Sequence, residues 1–265
     1  FSEALAARGT APTEAETAAR LDRYLQEGGY PEPLLRGANR TDYLRDLVRA
    51  TLLKDVVRRH RVRASGGLED VAHFFFSNAA KEFSFRTVAA VARVSSPTTA
   101  EKYTRFLGEA FLIFTLNRFC FKAREKAVGN KKAYVIDPGL AACLGTRPGQ
   151  DLGRLAENVV AIALWRRQLA GEIDLAFWKN KEQEEVDFVI RKQGRVAKLI
   201  QVCWDLSDPR TRTREFRALA KAGAELRCEE LWCLSRGAAG DADFRWGGRT
   251  VRVRVASLAG WLAQA

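Results

Sequence analysis

Glu184-Glu185-Val186-Asp187-Phe188-Val189-Ile190, followed by Lys198-Leu199-Ile200-Gln201-Val202-Cys203, is the stretch from which the rest of the chain is read. Both pieces have strand character. Val186, Phe188 and Ile190 alternate with Asp187 and Val189, and Leu199 to Val202 is a second, mostly apolar run. Gln193-Gly194 between them is a turn signal. The stretch predicts a β-hairpin with one acid, Asp187, on its first strand. On the second strand the pleat turns Gln201 and Cys203 to the same face. An acid on an otherwise apolar strand is costly without a partner, which makes Asp187 a candidate functional residue.

Outward from the hairpin, a small α/β domain takes shape. A long helix begins at Asp151, with Leu155, Val159, Ile162, Ala163 and Trp165 inward and Glu157 in its second turn. A strand at 173–178 follows, then the hairpin. Asp208-Pro209 opens another helix with a basic surface (Arg210, Arg212, Arg214, Arg217), and Leu231-Trp232-Cys233-Leu234 is a further strand. Helix, three strands, helix, strand is a mixed sheet with helices. One acid on a strand beside an acid-x-lysine on its neighbour is the skeleton of a metal-dependent nuclease site. Here glutamine stands at the second acid and cysteine at the lysine.

The preceding residues read as helical. A helix over 13–27 ends at Gly28-Gly29-Tyr30-Pro31. A second starts near Thr41, taken as its N-cap, with Leu44, Leu47, Val48, Leu52 and Val56 at helical spacing. Leu68 to Asn78 is a helix whose Phe74, Phe75 and Phe76 belong to a core. Ser84 caps a short helix, Arg93-Val94-Ser95 is a turn, and Ser96-Pro97 opens a third helix with serine as N-cap and proline first. A strand over 111–119, a basic loop from Lys122 to Lys132 and a strand Ala133 to Ile136 complete the block. Three helices and a hairpin in this order predict a winged helix-turn-helix. Thr98, Lys102 and Arg105 then lie on one helix face able to meet a groove, and Arg118, Lys122, Arg124, Lys126, Lys131 and Lys132 are set to meet phosphates. The same fold also serves protein contacts, and Glu101 among the candidate readers favours that alternative.

Composition bounds these readings. The chain of 265 residues carries 44 Lys and Arg against 32 Asp and Glu, net +12. Residues 118–150 hold 7 basic and 2 acidic groups, an excess of +5, whereas 151–207 hold 9 of each. So local an excess points to a nucleic-acid partner. No apolar run is long enough to span a membrane. The 5 cysteines show no C-x-x-C spacing and have only 2 histidines beside them, which argues against zinc and for reduced thiols in the cytoplasm. No G-x-x-x-x-G-K-[ST] occurs, so no nucleotide cofactor is expected in this stretch.

Gly28-Gly29-Tyr30-Pro31-Glu32, Lys81-Glu82-Phe83-Ser84-Phe85, Ala110-Phe111-Leu112-Ile113-Phe114, Lys132 to Leu140, Leu155 to Val160, Glu185 to Val189 and Leu199 to Cys203, in this order, resemble the C-terminal region of a family of prokaryotic AAA-type ATPases. The resemblance runs from about 24 to 235. It implies an α+β multidomain chain: residues 1–36 as the tail of an upstream ATPase module, 37–67 as a linking helix, 68–140 as the winged helix and 141–265 as a restriction-endonuclease-like (PD-(D/E)XK) α/β domain. ATP and its magnesium are then expected only in a module upstream of Phe1. In the nuclease superfamily the helix glutamate, the strand aspartate and the acid of the acid-x-lysine bind magnesium. The matching positions are Glu157, Asp187 and Gln201, with Cys203 at the lysine. Glu157 and Asp187 are expected to converge as potential Mg2+ ligands, with Gln201 beside them. A neutral thiol at 203 supplies no cation for phosphate chemistry. The expected role is the DNA-binding and effector portion of the ATPase with a degenerate nuclease site, against two alternatives, an active metal-dependent nuclease and a protein-interaction scaffold.

Overall fold

The computed structural model describes residues 13–36, 39–62, 65–120, 130–146, 151–237 and 239–265. They form helices and two sheets in two compact units, one lying within 22–115 and 130–162 and the other within 13–21, 116–120 and 163–265. The architecture is mixed α/β.

In the first unit, α1 (Glu14–Glu27, entering from the other unit), α2 (Pro31–Arg36) and α3 (Arg40–Thr51) lead through a π-helical segment, Leu52–Val57, into a last turn, α4 (Arg58–His60). The cap of α3 is Asn39, whose side chain accepts the N–H groups of Thr41 and Asp42; the helix thus starts two residues earlier than expected, with Thr41 already inside the first turn. Then come α5 (Ser65–Ser77), β1 (Lys81–Phe83), α6 (Phe85–Val91), α7 (Pro97–Glu109), β2 (Ile113–Asn117) and β3 (Lys131–Val135), with strand order β1-β3-β2. Ser84 and Ser96 cap α6 and α7 by accepting the N–H groups of Thr87 and Thr99, both at 3.1 Å. Phe74, Phe75 and Phe76 are buried in the core they share with Leu44, Val88, Leu107 and Val135.

After β3 the chain does not simply turn away. Asp137 caps α8 (Pro138–Leu144), and its carboxylate also reaches the start of the unit. One oxygen accepts the N–H of Gly139 at 2.8 Å and the other that of Gly29 at 2.7 Å. Burial pushes the pKa of Asp137 up, and these two N–H groups oppose that rise. Gly28 ends α1 in the left-handed region, φ +76°, and a Cβ there would lie 2.1 Å from the same carboxylate. The Gly-Gly-Tyr-Pro and Asp-Pro-Gly motifs are thus the two halves of one clasp.

The second unit holds a six-stranded sheet in the order β4-β5-β6-β7-β9-β8. After α9 (Leu152–Leu169, shared between the units), β4 (Asp174–Lys179), β5 (Glu185–Lys192) and β6 (Arg195–Val202) run antiparallel. Gln193 and Gly194, both at positive φ, make the β5–β6 turn. α10 (Pro209–Leu226) then crosses to β7 (Leu231–Ser235), parallel to β6, and buries Phe216, Leu219 and Ala222 against Val189, Leu199 and Cys233. β8 (Gly240–Trp246), β9 (Arg249–Ser257) and α11 (Leu258–Gln264) extend the domain beyond the elements expected from sequence. Their charged alternation, Asp241 opposite Arg254 and Asp243 opposite Arg252, hides the apolar pattern that marks the inner strands.

Gly28→Ala should cost roughly 2–4 kcal/mol in urea unfolding, from the left-handed backbone and the clash with Asp137 together. In an Asp137→Ala background the clash with the carboxylate is gone while the Gly139 backbone still lies 2.9 Å from the added Cβ, so the same substitution should cost less than in the parent but more than the about 1–2 kcal/mol of the left-handed backbone alone.

Candidate functional site

The central hairpin sets Asp187 of β5 across from Gln201 of β6, one step beyond the Phe188–Ile200 pair. At this step side chains take over the ladder. The Asp187 N–H donates to Oε1 of Gln201 at 3.3 Å, and the Val202 N–H donates to Oδ2 of Asp187 at 2.9 Å. With its oxygen so engaged, the Gln201 amide turns its Nε2 to Oε2 of Glu215 on α10, at 2.8 Å. Asp187, Gln201 and Glu215 are 4, 7 and 8 % exposed, so each polar atom needs such a partner.

Glu215 was missed in the sequence because a glutamate on a basic helix looks like a solvated counter-charge. Its neighbour Arg214 binds Oε1 at 2.6 Å from a largely exposed position. Burial raises the pKa of Glu215, Arg214 opposes this, and the Asp187 carboxylate adds to it. Cys203 lies on the expected face of β6 and is buried. Its thiol donates to the Asp205 carbonyl at 3.2 Å. Burial, and then the Glu215 carboxylate, push its pKa up to about 11, which keeps the thiol neutral.

Glu157 belongs to the first unit and is built from different neighbours. Lys132 and Tyr134 share a face of β3, and Oε1 of Glu157 accepts from Lys132 Nζ at 2.8 Å and from the Tyr134 hydroxyl at 2.7 Å. The adjacent Asn158 pairs with both the N–H and the C=O of Val135 at 2.9 Å, fixing α9 against β3. Lys132 was expected at a phosphate; it is instead 3 % exposed, because the β3 alternation turns it toward α9, where Glu157 offsets its charge.

The remaining candidates divide. Thr98, Lys102 and Arg105 are all exposed on α7. Lys131 is half-buried on β3. Arg118, in the second unit, donates to the Lys179 carbonyl beside a short bridge to β4. Lys122, Arg124 and Lys126 lie outside the described residues. Among the described residues no group of three His, Cys, Asp or Glu is placed to hold a metal ion. Oδ2 of Asp187, Oε1 of Gln201 and Oε1 of Glu157 each accept a protein hydrogen bond.

Residues 18–151, just over half of the chain, match a family described as a domain of unknown function, DUF8612. The chain belongs to the DUF8612 family. From residue 152 to 253 it matches a second domain of unknown function, DUF4143, so the DUF8612 match stops where α9 starts. It is 29% identical over 224 residues to Uncharacterized protein MJ1544 of Methanocaldococcus jannaschii, covering 82% of this chain and 49% of that one. It is 22% identical over 190 residues to an uncharacterized protein of Haemophilus influenzae, covering 70% and 46%. The chain thus spans about half the length of these curated relatives. No solved structure matches it significantly. No helix among the described residues is long and apolar enough to cross a membrane.

The raised pKa of Glu215 means that the folded protein binds this proton more readily than the unfolded chain. Its contribution to stability is full below the unfolded pKa and is lost as pH rises through the folded one. Glu215→Gln keeps an acceptor for Gln201 and removes the titration. The melting temperature of the variant, relative to the parent, should therefore climb as pH rises above the ordinary 4.5. A difference flat across pH contradicts this. Gln201→Glu should instead destabilise at neutral pH by about 3 kcal/mol, because it sets a second carboxylate against Glu215.

Proposed function

We propose that this chain is the DNA-binding and effector C-terminal portion of an AAA-type ATPase. In this reading residues 68–140 are a winged helix and 141–265 a restriction-endonuclease-like domain whose cleavage chemistry has been lost. The observation that carries it is the exposed Thr98, Lys102 and Arg105 on α7, the second helix after a tight turn. A capped helix that follows a short helix and precedes two neighbouring strands is the arrangement in which a recognition helix enters a major groove. The net charge of +12 supplies the attraction to phosphate.

The loss of cleavage is supported by chemistry at the hairpin. A neutral thiol at 203 offers no stabilising charge to an attacked phosphate, and the Gln201 amide is held by Asp187 and Glu215. In this reading Glu157 and Asp187 keep the positions of the superfamily acids while serving as structural groups. ATP chemistry belongs to a module outside these residues.

A scaffold for an acidic protein is the second reading. Exposed Glu101 weakens the DNA reading, as does Arg105, which lies 3.6 Å from Glu109 and is partly neutralised. The double substitution Lys102→Ala, Arg105→Ala separates the two. On the DNA reading, duplex affinity falls on all sequences, and the slope of log K against log salt flattens by about two, one per lost phosphate contact. Unchanged affinity, or no duplex binding at low salt, favours the scaffold.

A further inference from the structure

Arg58 and Arg59 lie in α4 and Arg61 caps it, and the proposed function leaves all three without a role. Each is exposed. Among the described residues none of them forms an ion pair or donates a side-chain hydrogen bond, even to the helix-end carbonyls that attract cations. Asp55, four residues before Arg59, is exposed and pairs with none of them. Three neighbouring cations left unanswered repel one another, and an incoming anion relieves that repulsion.

The turn that carries them is fixed. Arg61 takes the left-handed conformation, φ 50°, and the Val62 N–H donates back to the Val57 carbonyl at 3.2 Å, with both valines packed on the core. Between the arginines, His60 stacks on Phe106 of α7 with ring centroids 3.7 Å apart, and its Nε2 lies 3.1 Å from Oε2 of Glu109. Lys102 and Arg105 approach the same Phe106 ring, at 5.6 and 5.5 Å from its centroid. The three arginines stand within two residues of His60, so their Cα atoms are at most about 8 Å from its own. The stack thus joins the arginine turn and the exposed cations of α7 into one basic surface within the first unit. Of the acids on α7, Glu109 is held between His60 and Arg105, and Glu101 is exposed.

We propose that Arg58, Arg59 and Arg61 form a clamp on the phosphate backbone of duplex DNA, beside the groove that α7 enters. The place beside the groove rests on the reading of α7 as a recognition helix; the backbone contact is tested apart from it. A guanidinium fork meets two phosphate oxygens at once. A duplex presents one charge per about 1.7 Å of its axis, close enough for three neighbouring cations to be met together. Such contacts carry no sequence information but fix orientation on the duplex, so the clamp seats α7. Side chains on a turn already held against α7 lose less freedom on binding.

Fluorescence anisotropy of the whole chain on labelled duplexes, over about 50–200 mM salt, tests the clamp. The triple variant Arg58→Gln, Arg59→Gln, Arg61→Gly removes it. Glycine suits the left-handed position, so the melting temperature should not fall. Duplex affinity should weaken about tenfold or more on all sequences, and the slope of log K against log salt should flatten by about three. Arg195→Gln, Arg210→Gln, Arg249→Gln removes the same charge from exposed positions of the second unit and should leave that slope nearly unchanged. An equal loss in this control, or unchanged affinity in the clamp variant, overturns the proposal. If the clamp variant weakens binding and Lys102→Ala, Arg105→Ala does not, the clamp stands and the reading of α7 falls; the reverse result sinks the clamp alone. No duplex binding at low salt overturns both, and polyglutamate binding that the clamp variant loses then assigns the turn to an acidic protein.

Discussion

The amide of Gln201 is the point on which the central hairpin depends. It alone can accept from the Asp187 N–H and donate to the Glu215 carboxylate at the same time, because an amide carries both an acceptor and a donor. A glutamate at this position would accept from Asp187 and repel Glu215. Beside the amide lies the Cys203 thiol, whose pKa burial and then the Glu215 carboxylate push up to about 11.

The first unit handles charge in the opposite way, by burying an ion pair. Lys132 and Glu157 are both removed from water, and the Tyr134 hydroxyl completes the carboxylate. Removing one partner of such a pair leaves an uncompensated buried charge, typically costing about 3–5 kcal/mol. The pair, with the Asn158 side chain paired to Val135, determines how the N-terminal part of α9 lies on β3. Glu157 thus has structural work to do within its own unit.

These arrangements change what the net charge of +12 means. Lys132 neutralises a buried acid, Arg118 binds a backbone carbonyl, and Lys198 and Arg254 lie over an indole. Arg217 and Lys221 both hold Glu184 at 2.6 Å. Counting basic residues along the chain locates an excess but not the cations free to meet a ligand. On α7 Lys102 and Arg105 are exposed, although Arg105 lies 3.6 Å from Glu109.

Local chemistry was legible in the sequence wherever one short segment sufficed. The alternation of Val186, Phe188 and Ile190 gave away the strand, Gln193-Gly194 its turn, Ser84 and Ser96 their caps, and Asp208-Pro209 the start of α10, because each depends on residues within a few positions. Strands β8 and β9 escaped notice since charged cross-strand pairs mask their period. What only the tertiary structure decided are the partners. Asp137 closes on Gly29 across 108 residues, Glu157 meets Lys132, and Glu215 meets Gln201. A sequence states which side chains carry charge or hydrogen-bonding groups; burial and direction, set by how strands and helices pack, determine which of them pair and which remain available to a ligand.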